Sequence, residues 1–145
     1  QLGLTPNAAN LRIPQLRARC EEIRHEPLVV LDAAHNGDSM TRLVEAINKL
    51  YPNVHFTVVL GIVKGKDAHG MVTALKNLNG EFILTNPHTG KGSDLEKLAA
   101  EMKDAGLDVR GIIPQLTKKE QLPTDKPLLF TGSFFTALIG EEFFD

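Results

Sequence analysis

Four short stretches of this sequence gather residue types that meet anions and nucleotides: Asp32-Ala33-Ala34-His35-Asn36-Gly37, Gly61-Ile62-Val63-Lys64-Gly65-Lys66-Asp67, Asn86-Pro87-His88-Thr89-Gly90-Lys91-Gly92-Ser93 and Thr131-Gly132-Ser133. Each follows an apolar run and precedes a helical pattern. Glycines there admit close approach of backbone amides to a ligand, and helix amino-termini with lysines favour negative charge. Each stretch alone also reads as ordinary turns and caps. Together they describe a cleft for a phosphate or nucleotide.

The individual residues leave narrower options. Asp32 ends a buried strand, where a carboxylate is costly unless it is paired, caps a turn or faces a cleft. His35 lies three residues on, but no further ligands stand at metal-site spacing. Gly90-Lys91-Gly92-Ser93 lacks the Walker arrangement: Thr85 stands where the first glycine belongs and Gly92 follows the lysine. A looser anion contact by Lys91 stays open. Ser133 is flanked by Thr131 and Phe135 rather than the glycines of a nucleophile elbow, so it reads as a helix cap or ligand donor. His25, His55, His69 and His88 are scattered and read as surface groups.

The elements that position these residues follow from periodicity. Leu28–Leu31, His55–Ile62, Glu81–Thr85, Leu107–Ile113 and Pro127–Thr131 are apolar runs suited to strands buried on both faces, and residues 19–24 form a short charged strand turning at His25-Glu26-Pro27. Between them lie helical stripes. Met40, Leu43, Val44, Ile47 and Leu50 form one, ended by Pro52. Met71, Ala74, Leu75 and Leu78 form another, capped by Asp67 and closed by Gly80. A third has Leu95, Leu98, Ala99 and Met102, with Ser93 and Glu96 as a capping box and Gly106 at its end. The last opens at Ser133 and carries Phe135, Leu138 and Ile139. Strand–helix alternation predicts a Rossmann-like α/β fold. Its three layers are α/β/α around a mostly parallel sheet of about six strands, one of them an antiparallel hairpin strand at the edge. Asp32, Gly61, Asn86 and Ser133 should then gather at one edge of the sheet.

Composition bounds the function. The chain has 145 residues, an apolar fraction of 42% and a formal charge of −2, which suits one domain and gives no bulk attraction to nucleic acid or an anionic membrane. The lone Cys20 points to a reducing, cytoplasmic setting, and no apolar run is long enough to span a membrane. Residues 1–18, interrupted by Pro6 and Pro14, read as a linker or the tail of a missing preceding domain; the chain opens on Gln1, as an excised piece would.

The stretch RCEEIRHEPLVVLDAAHNGDS, from Arg19 to Ser39, closely resembles the start of the last domain of folylpolyglutamate and dihydrofolate synthases, members of the Mur ligase superfamily. There an arginine opens a short strand, a hairpin follows, and an apolar strand runs into Asp-Gly-Ala-His-Asn. VVLGIVKGKD and LLFTGSFFTALIGEEF are similar to later segments of the same domain, so the resemblance covers residues 19–145. Ala33 departs from the family's glycine, and HTGKGS stands where relatives often carry Pro-Arg-Ala.

The resemblance implies a carboxy-terminal domain of an ATP-dependent ligase. The whole enzyme would phosphorylate a folate or dihydropteroate carboxylate with ATP and Mg2+, then join the acyl phosphate to L-glutamate. Phosphate loop, metal ligands and catalytic lysine would belong to the preceding ATPase domain, so this chain holds neither catalytic residue nor metal site and is expected to be inactive alone. By the same analogy Arg19 and Asp32 contact ATP, and His35, Asn36 and Ser133 bind substrate, with His35 and Ser133 nearer the reacting groups. An arginine suits phosphate because its charge and fork of donors persist at any working pH. A strand-end carboxylate suits ribose hydroxyls because it accepts their hydrogen bonds without needing a proton. Substituting either residue should leave the domain folded. The alternative is a free-standing nucleotide- or phosphate-binding α/β module without catalysis; a dinucleotide oxidoreductase is disfavoured because no G-x-G-x-x-G follows the first strand.

Overall fold

A computed structural model of the chain describes residues 20–87, 94–123 and 125–144. Six strands form one sheet: β1 (Glu21–His25), β2 (Leu28–Leu31), β3 (Phe56–Leu60), β4 (Gly80–Leu84), β5 (Val109–Ile112) and β6 (Leu128–Thr131). Their order across the sheet is β1-β2-β6-β3-β4-β5. Only β1 runs antiparallel, paired with β2 through a hairpin turning at residues 26–27; the other pairings are parallel. The central strands β2, β6, β3 and β4 are almost wholly buried, whereas the edge strands β1 and β5 alternate with solvent and carry Glu22, Arg24 and Arg110 outward. Charged edges of this kind discourage pairing with another chain.

The period of two divides the apolar residues between the faces. Val30, Leu129, Val58, Leu60, Phe82 and Leu84 point to one face, where they pack with α1 (Gly37–Leu50), α2 (Ala68–Leu75) and α3 (Leu95–Asp104). Val29, Leu31, Leu128, Phe130, Val59 and Ile83 point to the other, covered by α4 (Phe134–Phe144) with Leu116 and Leu122 from the connection leading into β6. The α/β/α layering predicted from the sequence is present, with three helices on one side and one on the other among the described residues.

β2 has the bounds read from the sequence, β3, β5 and β6 are shorter than their runs, and β1 and β4 are displaced by one or two residues, β1 ending at His25 and β4 starting at Gly80. Several finer expectations are corrected. Gly80 does not close α2, which ends at Leu75; it starts β4, where a Cβ would stand 2.6 Å from Phe56 O, so the glycine serves the strand approach. Ser93 lies outside the described residues, and the cap of α3 is Asp94, whose carboxylate accepts from Lys97 N at 3.2 Å. Leu50 is 59% exposed at the last residue of α1, and Phe135 39% exposed near the start of α4, so neither belongs to the core. Other caps form as read. Asp67 accepts from Gly70 N. Gly106, at φ +86°, ends α3 with Gly106 N bonded to Lys103 O and Leu107 N to Met102 O, a Schellman motif.

Candidate functional site

The parallel arrangement puts the carboxyl ends of β2, β6, β3 and β4 on one edge, and backbone hydrogen bonds tie the loops there together. Asp32 N donates to Phe130 O (3.0 Å), Gly61 N to Thr131 O (3.1 Å) and Thr85 N to Leu60 O (3.0 Å), while Asn86 N reaches Pro114 O (3.2 Å). Asp32, Gly61, Asn86 and Ser133 therefore share the edge expected for them. The chain reverses direction across the sheet here. The connection through α1 carries it from β2 past one position to β3, and the final strand returns to fill the gap. Crevices at such reversals are where open α/β sheets hold ligands.

A cavity of about 450 Å³ opens at this reversal, lined by Cys20, Asp32, Ala33, Ala34, His35, Ser39, Arg42, Leu43, Ala46 and Phe134. Its size suits a small organic ligand. It draws on the loops after β2 and β6 and on α1; the loops after β3 and β4 share the edge but not this cavity. Arg42 and Phe134 escaped the sequence reading. Arg42 sits mid-helix among residues read only for their apolar stripe, and Phe134 faces Asp32 only because β6 returns beside β2.

Asp32 is buried, and its carboxylate is held by two backbone amides: Oδ1 accepts from Cys20 N at 2.7 Å and Oδ2 from Ala34 N at 2.8 Å. Both bonds favour the charged form and fix the plane of the group. Cys20 faces the same cavity with a neutral thiol, because burial and then the negative charge of Asp32 push its pKa up to about 11. His35 is exposed at the rim, with Nδ1 3.2 Å from Ala33 O.

Two other residues singled out from the sequence are engaged within the protein. Asn36 caps α1, its Oδ1 accepting from Ser39 N (2.8 Å) and Ser39 Oγ (2.9 Å). Ser133 is buried and caps α4, with Oγ accepting from Thr136 N at 3.1 Å. Thr136 Oγ1 donates to Gly61 O at 2.8 Å, so the 2.8 Å contact between the two hydroxyls carries the proton of Ser133. Both residues thus fix loops at the edge: Asn36 the one after β2, Ser133 the junction between β3 and β6. Arg19 and the His88–Ser93 stretch lie outside the described residues. His25, His55 and His69 are exposed, as read. Thr131 Oγ1 and Asn86 Oδ1, both at this edge, are buried without a hydrogen-bond partner among the described residues.

Residues 18–133 match the family model described as Mur ligase, glutamate ligase domain. The chain belongs to the Mur ligase family. Curated relatives in this family include the folylpolyglutamate synthase of Lacticaseibacillus casei, 30% identical over 120 residues, and the dihydrofolate synthase/folylpolyglutamate synthase of Buchnera aphidicola, 27% identical over 124 residues. These alignments take in 83% and 84% of this chain but 28% and 30% of the relatives, so the Mur ligase domain spans less than a third of their length. The fold matches the crystal structure of Mycobacterium tuberculosis folylpolyglutamate synthase complexed with ADP and AMPPCP at a TM-score of 0.71 and 23% identity, over 86% of this chain and 31% of that one. The resemblance read from Arg19 to Ser39 and from the later segments is therefore borne out at the level of the family and the Rossmann-like fold.

Proposed function

We propose that this domain supplies one wall of the ATP site in a folate–glutamate ligase, closing over the nucleotide while glutamate is joined to an activated folate or dihydropteroate carboxylate. The observation that carries the reading is Asp32: a carboxylate with each oxygen held by a backbone amide, at the strand reversal, inside a ligand-sized cavity, in a chain of the Mur ligase family. The mycobacterial structure with ADP and AMPPCP supports nucleotide use in this fold. A preorganised carboxylate accepts ribose hydroxyl hydrogen bonds without paying to reorient. Arg19, one residue before Cys20 in the sequence, would take a phosphate with its fork of donors. His35, at the rim, would lie nearest the reacting groups and incoming glutamate, with Asn36 and Ser133 shaping that end of the site through the loops they hold.

Chemistry in this scheme is acyl phosphate formation followed by attack of the glutamate amine. This domain contributes binding, orientation and exclusion of water rather than the nucleophile. Among the described residues no three His, Cys, Asp or Glu side chains come together as a metal site, so Mg2+ would be held by the preceding ATPase domain together with the phosphates. No helix among the described residues is long and apolar enough to cross a membrane. A cytoplasmic setting suits the single reduced thiol.

The test uses the full-length protein. Arg19→Ala and Asp32→Asn should each lower ATP-dependent kcat/KM by about ten- to a hundredfold, the loss expected from one charged hydrogen bond. Unchanged ATP dependence in well-folded variants removes both residues from the site.

A further inference from the structure

Beyond the ribose and phosphate contacts, the cavity holds two side chains that the nucleotide reading has not used. Arg42 projects from α1, on one face of the sheet, and Phe134 is the first residue of α4, on the other; both line the cavity at the edge between them. Arg42 has no hydrogen-bond or ion-pair partner among the described residues, although a carboxylate lines the same cavity. Phe134 is part-exposed, braced by Phe135 with centroids 5.9 Å apart. Between them Ala33, Ala34, Leu43 and Ala46 give an apolar lining, and the three alanines keep it shallow.

We propose that Arg42 and Phe134 clamp the base of the nucleotide between them, so that this domain sets a preference for a purine. The proposal rests on the nucleotide reading of the cavity given above. Guanidinium and phenyl groups are both planar, and both stack on flat π systems. A ribose on Asp32 leaves its base within the same cavity, and a purine offers the larger face to both side chains. An arginine held only by solvent would keep its plane free to settle on such a ring. Lysine in its place would retain the charge and lose the plane.

The full-length protein separates base from phosphate. Arg42→Ala and Phe134→Leu should each raise KM for ATP about tenfold and bring the preference for ATP over CTP towards unity. Inhibition by tripolyphosphate, which has no base, should stay unchanged. Leucine keeps apolar volume at position 134, so the effect reports the ring. Arg42→Lys should recover little of the lost preference. Cys20 supplies a second readout: adenosine should slow alkylation of Cys20, followed on its own peptide by mass spectrometry, in the parent protein and not in Arg42→Ala or Phe134→Leu.

If tripolyphosphate inhibition weakens with Arg42→Ala as much as KM for ATP rises, Arg42 is a phosphate ligand and the clamp is wrong. If Asp32→Asn impairs ATP use while the Arg42 and Phe134 variants do not, the clamp falls and the nucleotide cleft stands. If none of the three affects ATP use in folded protein, both readings fall.

Discussion

Two carboxylates show how far residue-level reading reaches. Asp32 was legible as a strand-end carboxylate, but not as the acceptor of Cys20 N and Ala34 N, since one of those bonds spans twelve residues and depends on the hairpin. The bonds revise the expectation that substitution leaves stability alone. Asp32→Ala orphans two amides and should cost about 2 kcal/mol in urea unfolding; Asp32→Asn keeps one acceptor oxygen and should cost less. Glu81 had no signal at all, being one acidic residue in an apolar run. Its buried side chain meets Thr57 Oγ1 (3.2 Å), Lys126 Nζ (3.3 Å), Arg110 Nε (3.6 Å) and His55 Nε2 (3.7 Å). Burial pushes this carboxyl up, but the hydrogen bond and charge of Lys126, with Thr57 and Arg110, outweigh it and hold the group below its ordinary 4.5. Its folded pKa being depressed, Glu81 stabilises the fold fully above the ordinary value and loses that contribution as pH falls through the lower folded one. Urea melts at about pH 7 and about pH 3 should show a larger drop for the parent chain than for Glu81→Gln. Equal drops would remove Glu81 from the acid response.

At the scale of elements, the buried strands were readable because continuous apolar runs have few other uses, and α3 because its apolar stripe and the glycine that ends it agree. The failures have physical causes. Gly80 looked like a helix stop, yet glycine there answers to Phe56 O on the neighbouring strand. The stripe of α4 was blurred because the helix is apolar nearly all round, with Phe135 outward and Phe143 and Phe144 folding back on Phe130. Gly140, within this helix, has an unexpected job. A Cβ at that position would lie 2.5 Å from Leu31 Cδ2 and 2.6 Å from Phe130 Cδ1. Alanine normally gains about 1 kcal/mol over glycine in a helix interior. Here both neighbours are buried strand side chains, and overpacking of about 1–3 kcal/mol should prevail. Gly140→Ala should therefore lower the urea midpoint, and a rise would show that α4 can shift outward at little cost.

For the molecule as a whole, the Mur ligase architecture was legible and the cavity was not, because the latter is assembled from three places in the chain: Cys20, the Asp32–Ala46 stretch and Phe134. On the function proposed above the domain is one wall of a cleft, and its chain spans less than a third of its curated relatives. Alone it should release no glutamate-dependent phosphate or ADP, since its sequence carries no Walker phosphate loop and no metal-ligand cluster forms among the described residues to neutralise ATP for transfer. ATP on a half-open wall should bind at millimolar Kd or weaker, worth only about 4 kcal/mol. Titration calorimetry and a coupled ADP assay on the 145-residue chain check both; turnover by this chain would contradict the division of labour.

The position of β6 has a consequence for synthesis in the cell. This strand is the last of the six described strands to be made, yet it lies between β2 and β3 at the middle of the sheet. Until Leu128–Thr131 leaves the ribosome, the nascent polypeptide carries two bare strand margins, those of β2 and β3, with no partner to join them. It must wait in that open condition while the intervening helices are translated, and unpaired apolar margins are sites of aberrant association. A message truncated just before codon 128 should yield an insoluble or rapidly degraded product, whereas one that includes β6 and α4 should yield a folded one.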